Sequence, residues 1–276
     1  MTNDTGRVPL APGSQGCAPE PLRVSAEGDD PSRTYVIADL HGRFDLLCKA
    51  IDLIEADAGE AGGTFICLGD FVDRGPQSRS IIDLLMAGPQ RPNWRWIVLQ
   101  GNHEAMMLEC LDNPGILRWW IGNGGGQTLQ SYGYEQGDTL EPLRIPAEHL
   151  AWLRSLPLVH EDAHRIYVHA GVPYDQPLTE AKPQTLQWML YSGDDEEHHA
   201  GAEYAPSEGA HVSGKHIVHG HHQSAHHPLR RPERTNLDSF AWATGHSAIG
   251  LFDDAVAGGP VRILDAVARP DVRYAA

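Results

Sequence analysis

Three times between residues 35 and 111, a short apolar run stops at an acidic or amide residue and gives way to helical spacing. Residues 35–38 (Tyr-Val-Ile-Ala) run into Asp39 and His41, and after Gly42 the apolar positions Leu47, Ala50, Ile51 and Ile54 share one helical face. Residues 64–68 run into Asp70 and are followed by Ile81, Ile82, Leu84 and Leu85. Residues 96–99 run into Asn102, with a third helical stretch over 105–111. The runs are apolar at nearly every position rather than alternating, so both faces of each strand are buried. Strand-turn-helix units in series demand right-handed crossovers and a parallel core sheet.

Beyond this repeat the pattern changes. Residues 146–156 read as a helix, and strands are expected at 165–168, 216–219, 247–252 and 261–264. Turns rather than long helices separate these four, which predicts an antiparallel or mixed second sheet. Residues 191–214 carry Asp194, Asp195, Glu196, Glu197 and three histidines but no period, and are expected to form a mobile loop. Residues 1–32, rich in Pro, Gly, Ser and Asp, are expected to be a flexible tail, leaving 33–276 as one domain.

Charge narrows the partners. A formal net charge of −16 opposes broad docking on nucleic acid or anionic lipid. No apolar run approaches the roughly 18 residues of a membrane helix, so a cytoplasmic protein is expected. Cys17, Cys48, Cys67 and Cys110 show no C-x-x-C spacing, and neither a disulfide nor a thiolate metal site is expected.

The chemistry-bearing residues lie in five short segments: Asp39-Leu40-His41-Gly42, Gly69-Asp70-Phe71-Val72-Asp73-Arg74-Gly75, Gly101-Asn102-His103-Glu104, His169-Ala170-Gly171 and Gly220-His221-His222. In open α/β sheets ligands bind where strands end, which is where these segments fall. Their glycines let the backbone turn sharply and let an anion approach closely. Imidazole, carboxylate and amide oxygen without sulfur suit two ions of Mn, Fe, Zn or Co better than Mg. A carboxylate shared between two cations offsets their repulsion, and Asp70 is the candidate bridge.

These segments resemble the motifs of the calcineurin-like metallophosphoesterases, in particular the bacterial phosphoprotein phosphatase branch, which run G-D-x-H-G, G-D-x-V-D-R-G, G-N-H-E, H-A/G-G and G-H. Residues 120–132 resemble a W-x-x-N-G-G stretch of bacterial members. The resemblance implies an α/β fold, a four-layer α/β/β/α sandwich of two mixed sheets flanked by helices. It implies that Asp39, His41 and Asp70 hold one divalent metal and that Asp70, Asn102, His169 and His221 hold a second, with Mn2+ foremost. His103 would be the general acid, Asp73 its orienting carboxylate and Arg74 the phosphate clamp.

Departures from the pattern are few. Ala38 replaces a glycine, His222 stands where Thr is usual, and Asn236-Leu237-Asp238 matches only half of an N-L-D-T-G segment. Gln187-Trp188-Met189-Leu190 lacks the arginine of a W-I-R segment, for which Lys215, Arg118 or a loop histidine could substitute. Glu104 is read as structural, Asp238 likewise, and His219 as a support for His221 from the same strand face.

The expected activity is hydrolysis of phosphomonoesters, with phosphoserine and phosphothreonine proteins as favoured substrates, phosphotyrosine tolerated, and no phosphoenzyme. Asp73 leans this way, because the resembling diadenosine tetraphosphate hydrolases often carry Ala there. The rivals are a hydrolase of diadenosine tetraphosphate or another small phosphoester, and a metal-stabilised binding module without turnover. Oligomeric state is not legible.

Overall fold

The computed structural model describes residues 33–141, 143–192, 204–223 and 228–268. The expected tail at 1–32 and residues 193–203 of the expected loop at 191–214 lie outside them. Within that loop, Tyr191 and Ala205 are paired, as members of β6 (Leu190–Tyr191) and β7 (Tyr204–Ala205).

All three predicted units form. Strand β1 (Arg33–Ile37) leads to helix α1 (Phe44–Ala58), β2 (Gly63–Cys67) to α2 (Ser78–Ala87), and β3 (Trp94–Val98) to α3 (Asn102–Asp112). β1, β2 and β3 pair in parallel. Alternate residues then face opposite layers. Tyr35, Ile37, Phe65 and Cys67 pack under the helices with Leu47, Ile81 and Met107, while Val36, Ala38, Ile66 and Leu68 pack against Tyr167 and Val218 of the second sheet.

That second sheet has the order β4-β5-β8-β10-β9. It comprises β4 (Val159–Glu161), β5 (Arg165–Val168), β8 (His216–His219), β9 (Leu229–Arg230) and β10 (Arg234–Asn236). β5, β8 and β10 are parallel, with an antiparallel strand on each edge. Its outer face packs Ile166, Val168 and Ile217 against Leu186 of α7 (Pro183–Trp188). Helix, sheet, sheet and helix are the four layers expected.

One placement differs. β11 (His246–Asp253) and β12 (Arg262–Val267), expected in the second sheet, extend the first instead, in the order β12-β11-β1-β2-β3. β11 lies antiparallel along the whole of β1, from Arg33 opposite Asp253 to Ile37 opposite Ile249. β1 would otherwise leave one edge of a buried strand with unpaired backbone groups.

Four further α-helices lie among the described residues. α4 (Leu117–Trp120), a π-type turn and α5 (Gly126–Ser131) form the glycine-rich aromatic stretch. α6 (Ala147–Ser155) matches the predicted helix, and α8 (Ala241–Thr244) is a single turn before β11.

Candidate metal centre

The five motif segments meet at one end of the two sheets, where β1, β2, β3, β5 and β8 stop. Each strand must turn away within one or two residues, and the backbone shows it. His41, Asp70, Asp73, Arg74 and His221 all have φ between 43° and 69°, the left-handed region that non-glycine residues seldom enter. Strain of this kind collects at functional sites, because surrounding contacts must hold it in place.

Asp70 is the centre. Its Oδ2 lies 3.8 Å from Nε2 of both His41 and His103, and its Oδ1 lies 3.4 Å from Nε2 of His169. Two groups of side chains therefore share one carboxylate: His41, Asp70 and His103, and Asp70, His169 and His221, each with ligand atoms close enough to hold an ion. The first group contains His103 rather than Asp39. The Asp39 carboxylate accepts the backbone N–H of His221 at 3.0 Å, which joins it to the second group.

Ring orientation follows from the hydrogen bonds on the far side. Nδ1 of His41 lies 3.0 Å from the Val72 carbonyl, and Nδ1 of His169 lies 3.1 Å from that of Leu68. A carbonyl can only accept, so each ring carries a proton on Nδ1 and turns Nε2 toward Asp70. The Asn102 amide lies 2.8 Å from Nε2 of His169 and 3.1 Å from both His221 and Asp70 Oδ2. With its oxygen turned inward Asn102 adds an acceptor beside His169, His221 and Asp70, as a metal ligand would, and with its nitrogen inward it donates to the same three groups. Buried nitrogen and oxygen donors without sulfur fit a pair of borderline divalent ions.

Charges inside the cluster are strongly coupled. Burial opposes the ionised form of Asp70, but the charges of His169, His103 and His41 outweigh it and hold the carboxyl well below its ordinary range. Burial pushes Asp39 up to about 6, with His169 opposing. Burial lowers His169, but the charge and hydrogen bond of Asp70, joined by the charges of Asp39 and Glu104, together raise it to about 9. Burial drives His41 and His221 well below the ordinary histidine value, reinforced by Arg74 for His41 and by His169 for His221.

His103 lies edge-on to His41, with its Nδ1 2.8 Å from Oδ2 of Asp73. Burial lowers its pKa, but the Asp70 charge and the Asp73 hydrogen bond together raise it above the ordinary value. Asp73 is itself fixed: Thr128 Oγ1 donates at 2.7 Å and the Trp120 indole N–H at 3.0 Å. Both residues lie in the stretch that resembles the bacterial motif, yet sequence alone gave them no role. The Arg74 guanidinium reaches Nε2 of His41 at 2.9 Å and of His103 at 3.3 Å.

Glu104 is structural, though not through the helix dipole. Its carboxylate accepts the backbone N–H groups of Asp70, Phe71, Val72 and Gly101 at 2.8–3.1 Å, clamping the turn that carries Asp70. Burial and the Asp70 charge push it up to about 7. Asp238 is buried and accepts the Phe240 N–H, in keeping with a structural role.

Other expectations fare differently. His219 ends β8, and the chain turns before His221, so the shared-face spacing does not apply; Nε2 of His219 faces Arg234 at 3.4 Å. Lys215 precedes β8, at the strand end away from the cluster, and pairs with Glu161 at 3.0 Å. Arg118 is exposed on α4. His198, His199, His226 and His227 lie outside the described residues, as does Cys17. Cys67 is buried, and burial raises its thiol far above the reactive range.

Comparison with known proteins points the same way. A family model described as calcineurin-like phosphoesterase matches residues 32–249. The chain is 27% identical over 171 residues to serine/threonine-protein phosphatase 1 of Salmonella typhimurium, covering 62% of this chain and 69% of that one. It is 29% identical over 163 residues to the symmetrical bis(5'-nucleosyl)-tetraphosphatase of Methylococcus capsulatus, covering 58% of this chain and 51% of that one. The match thus spans about half the length of the tetraphosphatase. A solved structure described as a candidate diadenosine tetraphosphatase superposes with a TM-score of 0.59 at 20% identity, over 87% of this chain and 95% of that one, a likeness of fold.

Proposed function

The chain belongs to the calcineurin-like phosphoesterase family, and on that premise we propose that it is a dinuclear metal-dependent phosphatase acting on phosphoserine and phosphothreonine in proteins. The observation that carries the reading is the division of Asp70 between two groups of ligand atoms, with an aligned histidine-carboxylate pair beside it.

In this reading Asp39, His41 and Asp70 hold one ion, and Asp70, Asn102, His169 and His221 hold the other. When bound, the ions supply Lewis acidity, polarising phosphoryl oxygens and lowering the pKa of water. The chain's own residues do the rest. Arg74 presents a planar fork of donors to the phosphate oxygens. His103 gives the proton on Nε2 to the departing oxygen, while Asp73 holds Nδ1 so that the ring cannot turn away. Trp120 and Thr128 stop Asp73 from following the ring. Manganese as the metal, a cytoplasmic location and residues 33–276 as one catalytic domain belong to the same proposal. No helix among the described residues is long and apolar enough to cross a membrane.

A second reading, hydrolysis of diadenosine tetraphosphate, is supported by the name of the Methylococcus relative and by Leu190 in place of a second arginine. Rates of the metal-loaded chain on a phosphoserine peptide and on diadenosine tetraphosphate separate the two. The peptide is expected to show kcat/KM at least about tenfold higher, a difference of ~1.4 kcal/mol in transition-state binding. The reverse order replaces the first reading with the second. Metal binding without phosphate release from either leaves a binding module.

A further inference from the structure

Six non-glycine residues among those described have left-handed backbone, and five of them belong to the candidate centre. The sixth is Phe240, with φ 56° and ψ 43°, directly before α8. A bulky aromatic residue is poorly suited to that conformation. Local contacts hold it there. The Asp238 carboxylate accepts the Phe240 N–H at 2.9 Å, and the Phe240 carbonyl accepts from the N–H groups of Ala243 at 3.0 Å and Thr244 at 2.9 Å.

The strained residue aims one ring. Phe240 meets Trp242 edge-to-face, with centroids 5.1 Å apart and planes at 90°. The Arg74 guanidinium carbon lies over Trp242, 5.6 Å from the ring centroid. The indole N–H of Trp242 is buried and finds no hydrogen-bond partner among the described residues, so faces and edges, not a polar bond, fix the ring. Arg74 is also the one guanidinium among the described residues that reaches the candidate ligand histidines.

We propose that Trp242 is a positioning residue for Arg74, holding the guanidinium over the phosphate site through its π face. This rests on the reading of Arg74 as the phosphate-binding residue. A guanidinium beside two divalent cations is repelled toward solvent, and each binding event would have to reorder it. An aromatic face attracts the cation without donating a proton that competes with phosphate. Arg74 then stays ordered between turnovers, and less binding energy goes into fixing it.

A double-mutant cycle on the full-length, metal-loaded chain tests this, using wild type, Trp242→Ala, Arg74→Ala and the double variant, with Trp242→Phe as the conservative control. Inorganic phosphate affinity by calorimetry, and KM and kcat on p-nitrophenyl phosphate, are the readouts. Trp242→Ala should weaken phosphate binding and raise KM by about three- to thirtyfold, the span of a partly desolvated cation–π contact, with kcat within about threefold of wild type. Trp242→Phe should recover most of the loss, and Trp242→Ala should add nothing in the Arg74→Ala background.

Independent, multiplying losses in the cycle overturn the inference, as does loss of bound metal in Trp242→Ala by elemental analysis. Trp242→Leu takes the place of the alanine variant if that protein does not fold. If Arg74→Ala itself binds phosphate like wild type, the clamp reading of Arg74 fails first. That result is distinct from a failed coupling with Arg74 still required.

Discussion

The backbone N–H of His221 donates to both carboxylate oxygens of Asp39, at 3.2 and 3.0 Å, across 182 residues of sequence. One contact thus ties the end of a strand in the first sheet to the end of a strand in the second. It also fixes the left-handed turn that points the His221 ring at Asp70. The candidate centre exists only where the two sheets are held in this register.

Gly220 tests that register. A Cβ added there would run into the Asp39 carboxylate and come within 2.9 Å of the Ala38 Cβ. Gly220→Ala is expected to push His221 away from Asp39, lowering metal content and cutting kcat/KM by about tenfold or more, as small misplacements of catalytic groups do. Full metal occupancy with unchanged activity would show that the junction tolerates movement.

Asp70 faces both groups of ligand atoms. Asp70→Asn replaces one carboxylate oxygen with an amide nitrogen that cannot bind a cation, and is expected to release both ions. Elemental analysis after gel filtration decides it, because one retained ion would mean that Asp70 serves a single site.

For His103, replacement by alanine is expected to lower kcat by about 10²-fold or more while metal content stays at the wild-type level. Ion loss in His103→Ala would make this residue a ligand, as its place in the group with His41 and Asp70 would allow.

The pH profile carries its own sign. Burial lowers the His103 pKa, but Asp70 and Asp73 raise it above the ordinary histidine value, so the ring keeps its proton to higher pH. If His103 acts as an acid, kcat falls as pH rises through that raised value. Asp73→Asn removes a stabilising negative charge, and the alkaline limb of kcat should move to lower pH. A limb that stays put or moves upward separates Asp73 from the proton on His103.

Glu104 predicts a stability effect. Each of its oxygens accepts two backbone N–H groups, and Glu104→Gln sets an amide N–H2 against two of those donors. Leaving buried donors unpaired costs about 1–3 kcal/mol, so the urea midpoint should fall with little change in slope. An unchanged midpoint would mean that the turn at Asp70 holds without its clamp.

Much of this architecture was written locally. The runs at 35–38, 64–68 and 96–99 are apolar on both faces, and that pattern alone requires strands covered on two sides. The residues that follow, Asp39, Asp70 and Asn102, must then sit at strand ends on one edge of one sheet. Glycine placement and the mixture of His, Asp and Asn indicated metal chemistry before any coordinates.

Contacts between distant segments were not legible. β11 carries the same apolar signature as any buried strand, and only closure of the chain against the open edge of β1 assigned it, with β12 paired on its far side, to the first sheet. Lys215 was a plausible substitute for a missing arginine until β8 put it at the far end of its strand. Trp120 and Thr128 on Asp73, Glu104 under Asp70 and Trp242 over Arg74 are each pairings of segments far apart in sequence. Period and composition report how a residue meets its immediate neighbours and solvent, so they fix elements and strand ends. Which side chains face one another across the fold is set by how the layers pack, and tertiary structure alone decides that.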